Sequence, residues 1–138
     1  MKKIILYIIL IISAFGFAQK KSTNEESKEE SKEEIEKYTL YKTNAHASYY
    51  NDKFNGKRTA SGKIFNNNKL TAAHKTFAFG TKLKITNEQN DKSVIVEVID
   101  RGPFSKKREI DLTKKAFMKI ASNKRSGSMN VKIEILRN

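Results

Sequence analysis

"VIDRGPFSKKREIDL", residues 98–112, decides how this chain is read. A run of β-formers stops at Asp100-Arg101-Gly102-Pro103. Glycine permits a positive φ, and proline fixes its own φ and has no N–H to donate, so the pair ends a strand. A mostly basic stretch follows. A second aspartate, Asp111, then appears between Ile110 and Leu112. Either the two acids belong to one active site, or Asp100 makes a turn and Asp111 sits ahead of a helix, where its charge suits the helix dipole.

Working outward, apolar residues recur at every second position. Leu83 and Ile85 share a face in "TKLKITN", as do Val94, Val96 and Val98 in "SVIVEVID" and Val131, Ile133 and Ile135 in "NVKIEIL". These are half-buried strands. The turn cluster "NEQNDK" makes the first two a hairpin. "HASYY" and "KLTAAH" are shorter strand candidates. A helix is expected after Thr113, its cap, with Ala116, Phe117, Ile120 and Ala121 on one side and Lys114, Lys115 and Lys119 on the other. "NKRSGSMN" ends it. Five or six short strands and one helix suggest a small closed barrel, which leaves no basic sheet edge exposed.

The chain begins "MKKIILYIILIISAFGFAQKKS". Two lysines, a 15-residue apolar run over 4–18 and a small-residue ending have the form of a secretory signal peptide, with cleavage expected after Ala18. A spanning helix wants roughly 20 residues. Residues 19–43 hold 6 Lys and 7 Glu and almost nothing apolar before Ile35, so they read as a solvated tether. The folded domain is expected over 44–138. That part carries +12 of the net charge of +13. In a cytosolic protein such a balance points to nucleic acid. With an export signal the polyanions at hand are those of the envelope, and nucleic acid is not expected as a partner. There is no cysteine, hence no disulfide, no thiolate metal site and no lipid-carrying Cys. Two scattered histidines, His46 and His74, argue against a zinc site. No cofactor, no metal and a monomer are expected.

Taken in order, "ASYYNDKFNGKRTASGKIFNNNKLTAAHKTFAFGTKLKITN", "SVIVEVIDRGPF", "REIDLTKKAF" and "VKIEIL" resemble the RlpA-like (rare lipoprotein A) family, over residues 47–136. The resemblance implies a mainly β fold, a six-stranded double-psi β-barrel of the barwin–expansin type with one short helix. It implies an endolytic peptidoglycan lytic transglycosylase that cuts glycan strands between MurNAc and GlcNAc, leaves 1,6-anhydro-MurNAc ends, and acts in cell-wall remodelling. The location would be periplasmic or secreted, without insertion in the membrane once the signal is removed. Asp100 matches the family's catalytic aspartate in D-R-G-P-F. The family pattern usually reads T-A-S-G-E, its glutamate being an acid of the site, but Lys63 stands there. If Lys63 faces Asp100, an attractive neighbour has replaced a repulsive one.

Among the other residues, His74 is a candidate to bind substrate or orient an acid, with a structural role equally open. Tyr49 and Tyr50 alternate, so one should face the core and one a groove, where it would stack on sugar. Arg101, Lys57 and Arg58 are candidate contacts for glycan carboxylates, against ordinary surface charge. Asp111 is expected to be structural or to support the site. An intact Asp100 motif favours the lytic enzyme. Lys63 favours a glycan-binding barrel that does not cut. A basic structural protein of the envelope rests on charge alone.

Overall fold

The computed structural model describes residues 37–138 and, before them, Lys32. Residues 1–18, read as a signal peptide, and most of the expected tether lie outside the described residues.

The period-two runs form β3 (Lys82–Asn87), β4 (Ser93–Asp100) and β6 (Ser128–Leu136). β1 (Tyr38–Tyr49), β2 (Thr71–His74) and β5 (Ile110–Leu112) complete the sheet. Among the described residues these six close into a barrel in the order β1-β5-β2-β4-β3-β6. β3 runs antiparallel to β4 and β6, and β6 antiparallel to β1. β1–β5 and β2–β4 are parallel, and β2–β5 is antiparallel. Leu83, Ile85, Val94, Val96, Val98, Val131 and Ile133 are buried in one cluster, as their alternation requires.

Helix α1 (Lys114–Ile120) is capped by Thr113, whose side chain accepts from the Ala116 N–H. Its face Ala116, Phe117 and Ile120 is fully buried. Phe117 is the largest of the fully buried side chains. Ala45, Ala47 and Ala72 in the same cluster leave it room. The helix ends without a glycine cap. The Ile120 carbonyl instead accepts from Asn87 Nδ2 at 2.9 Å, at the end of β3, and from Asn90 Nδ2 at 3.0 Å, in the β3–β4 turn.

Two boundaries differ from those read in the sequence. The composition extends the tether to Thr43, but residues 38–43 belong to β1, with Tyr38 paired to Leu136 and Leu40 to Glu134. β6 is nine residues long, and a closed barrel must pair both its sides, so the partner strand extends upstream whatever its polarity. The stretch shows no apolar face because it is mostly exposed before Ala45. The second difference is β5, too short to show a period. It makes Asp111 a strand residue, two positions before the helix cap.

Candidate functional site

The pairing register brings the two aspartates into one row of the sheet. Ser48 lies opposite Asp111, Asp111 opposite Ala73, and Ala73 opposite Asp100. The four make one row across β1, β5, β2 and β4, and the two aspartates flank a buried alanine. They are two strand spacings apart, about 10 Å at the backbone. A register shift between Ala72 and Ala73 skips Ile99, which brings Asp100 into the row.

Three donors converge on Asp100. The Tyr50 hydroxyl donates to Oδ2 at 2.6 Å, and the Ala60 and Arg101 N–H groups donate to Oδ1, each at 2.9 Å. The Ala60 N–H is delivered by the T-A-S-G stretch. That stretch is a turn in which Gly62 N–H donates to Thr59 O and Thr59 N–H to Lys63 O. Gly62 has φ +87°, a conformation that a side chain disfavours. Tyr50 stacks at 4.5 Å on the buried ring of Phe65. Burial first, then the hydrogen bond to Asp100 and the charges of Asp100 and Asp111, push the Tyr50 phenol far above its ordinary pKa of 10.0. It stays protonated at any physiological pH, and its hydroxyl feels both aspartates.

Asp111 is engaged on its own side. Ser48 Oγ donates to its Oδ1 at 2.5 Å, and Arg108 Nη1 lies 3.4 Å from the same atom while donating to Ser48 Oγ at 3.1 Å. The loop wall opposite is held by Asn67, a buried hub. Asn67 donates to Tyr50 O and Asp52 Oδ1 and accepts from the Lys114 N–H at the helix start. Among the described residues no group of three or more His, Cys, Asp or Glu is placed to hold a metal.

Lys63, which stands where the family pattern has its glutamate, is engaged by another acid. Its Nζ donates to Glu97 Oε1 at 3.1 Å, and its side chain is 60% exposed. The turn over residues 59–63 presents a backbone N–H, rather than the lysine, to Asp100. Glu97, earlier on β4, takes the ammonium. Lys82 lies 4.0 Å from the other Glu97 oxygen.

His74 is buried, with Nε2 3.1 Å from Glu109 Oε1. Its Nδ1 accepts from the Thr76 and Phe77 N–H groups, so the proton sits on Nε2. Both nitrogens are thus committed within the fold. Burial lowers its pKa, and Glu109 offsets part of that. Arg101 is held by backbone carbonyls of the β2 end and the segment after it. Nη1 donates to His74 O at 3.3 Å and Phe77 O at 2.8 Å, and the guanidinium lies 4.0 Å above the Phe79 ring. Tyr49 packs on Phe117 at 4.7 Å. Arg58 donates to Gly62 O, and Lys57 lies over the Phe54 ring at 5.7 Å.

Ser48, Ala60, Asn67, Glu97 and Arg108 are not legible in the sequence as members of this region. A side chain's partner across the sheet depends on register. Only Arg108, three residues before Asp111, leaves a local sign.

Fold and site together define a closed, mixed, six-stranded double-psi barrel with two carboxylates in one row of its sheet. The profile of the lytic transglycolase family matches residues 42–133, and the chain belongs to that family. It is 50% identical over 94 residues to the endolytic peptidoglycan transglycosylase RlpA of Rickettsia bellii, spanning 66% of this chain and 41% of that protein. With the probable endolytic peptidoglycan transglycosylase RlpA of Treponema pallidum it shares 55% over 71 residues, 51% of this chain and 22% of that protein. The chain therefore spans less than half the length of these relatives. Among solved structures, a mutant of Clavibacter michiganensis expansin in complex with cellohexaose aligns with a TM-score of 0.56. That alignment has 18% identity and covers 69% of this chain and 50% of that one, a likeness of fold.

Proposed function

We propose that the protein is an endolytic peptidoglycan transglycosylase that works outside the cytoplasmic membrane, with Asp100 as its acid and base. The observation that carries this reading is the convergence of Tyr50, Ala60 and Arg101 on Asp100, in register with Asp111. The family and the relatives' names support the reaction class.

The reaction breaks the bond between the anomeric carbon of a muramyl sugar and the bridging oxygen. That oxygen gains a proton. The 6-hydroxyl of the same sugar closes on the anomeric carbon and loses its proton, so no water is consumed. Ordinary glycosidases need a second carboxyl group to activate water or to attack the sugar. Here one group can give a proton to one oxygen and take it from the other. Asp100 is held in one orientation for both transfers. Asp111, with Ser48 and Arg108, lines the same row and contacts the strand beside it.

The alternative, a barrel that binds glycan without cutting it, draws on Lys63 in the place of the usual glutamate. Mass spectrometry of purified glycan strands after incubation separates the two. New 1,6-anhydro-muramyl ends are expected. Strands that sediment with the protein yet stay intact would establish the binding module.

A further inference from the structure

Phe104 is 93% exposed, the most exposed of the large hydrophobic side chains described. An isolated exposed apolar residue needs no explanation. This one stands beside a cavity of about 480 Å³ at the C-terminal ends of the parallel pair β2 and β4, lined also by Lys75, Arg101 and Lys106. That is within the ~300–1,000 Å³ of small-ligand sites. Asp100 ends β4 just upstream. The aromatic ring is backed by Gly102, where a Cβ would come 3.7 Å from its Cε2. The loop beneath is fixed by the Arg101 hydrogen bonds to His74 O and Phe77 O. Lys75 Nζ spends one N–H on Ser105 O, and Lys106 forms no ion pair among the described residues. Both ammonium groups therefore keep donors for a ligand.

An aromatic face carries negative partial charge, and the C–H groups on a pyranose face carry the opposite sign. Ammonium groups attract carboxylates. We propose that this cavity is a subsite for a carboxylate-bearing sugar of the strand, whose ring packs on Phe104 and whose carboxylate is taken by Lys75 and Lys106. The assignment rests on the glycan-strand reading above. It also supplies the exposed aromatic platform that neither tyrosine provides, since Tyr49 and Tyr50 are packed against other rings.

The experiment uses two variants, Phe104→Ala and the double variant Lys75→Gln/Lys106→Gln. It uses two probes in calorimetric titration: peptide-free peptidoglycan strands and neutral chitin oligomers. All three side chains are exposed, so melting temperatures should match the wild type. Phe104→Ala should weaken both probes about tenfold, a change of about 1.4 kcal/mol. The double variant should weaken only the carboxylate-bearing strands and reduce the salt dependence of their binding. In cleavage assays KM should rise while kcat holds. Wild-type affinity in both variants overturns the subsite, as does a fall in kcat with binding unchanged. A wild type that binds strands without cutting them removes the transglycosylase reading, while the Phe104→Ala loss of binding still upholds the subsite.

Discussion

The two sides of the barrel are built differently. The wall of β3, β6 and the first half of β4 is antiparallel, alternates along much of its length, and fills the core with Leu83, Ile85, Val94, Val96, Val131 and Ile133. Its outer face carries ion pairs such as Lys132–Glu134 at 3.3 Å, in which Glu134 is half-buried. The other wall joins β1 to β5 and β2 to the end of β4 by parallel pairing. Its strands β2 and β5 are short, its register slips at Ala73, and its outward row is Ser48, Asp111 and Asp100. Both walls pack the core, with Val98, Ile110 and Leu112 fully buried on the second, but only the second carries the row of aspartates. On the function proposed above, substitutions in the outward row of aspartates should cost activity, and substitutions in the core of the first wall should cost stability.

The largest expected effect is Asp100→Asn. Loss of a group that both gives and takes a proton should cut the release of anhydro-ended fragments by about 10²–10⁴-fold. Circular dichroism and the melting temperature should stay near those of the wild type. An active variant would move the chemistry to another residue and erase the contrast between walls. Ile133→Ala tests the opposite wall. It empties a fully buried site between β1 and β3 and should cost about 2–5 kcal/mol in urea unfolding. The activity per folded molecule should hold.

The third test concerns the strand that the sequence hid. A chain starting at Lys37 keeps every described strand and serves as the reference. One starting at Asn44 loses the pairing of residues 38–42 with β6 and the contacts of Tyr41 and Lys42 with Glu109. It should lose about 2 kcal/mol, a drop of roughly 10 °C. Equal melting would show that the extension adds nothing to the barrel.

Acid should weaken the fold at the His74–Glu109 pair. Burial holds His74 below its usual 6.5, so the unfolded chain takes up that proton first and stability falls as pH drops below 6.5. For Glu109, burial pushes the pKa up, but hydrogen bonds and charges of Lys42 and His74 outweigh it and leave it below 4.5. Its contribution is present above pH 4.5 and fades as pH falls through the lower folded value. Urea unfolding from pH 7 to 3 should show both phases, and Glu109→Gln should lack the second. The smallest effect is expected from Lys63→Met. An exposed pair with Glu97 contributes under about 1 kcal/mol. Fragment release should change less than about threefold, as expected of a lysine held away from Asp100. A large gain would mean that Lys63 reaches Asp100 once substrate is bound.

Much of the regular wall is legible because period-two alternation is a local property with one solution for each strand. Helix α1 is legible from Thr113 and the apolar face of Ala116, Phe117 and Ile120 for the same reason. Asp100 stands out through its turn motif. Asp111 is visible as an acid, but its place is not, since a three-residue strand carries no period. The partners of His74, Arg101 and Lys63 are not legible, because each reaches across the chain to a group 24 or more residues away.

By itself the sequence determined where most strands and the helix form, which faces are apolar, and that an aspartate follows the β4 run. Those properties depend on residues a few positions apart. Tertiary structure alone decided that Asp100 and Asp111 share a row, that Tyr50 rather than Lys63 meets Asp100, and that residues 38–43 form a strand. These depend on closure of the barrel. Closure fixes which backbone groups still need partners and which side chains face one another across the sheet.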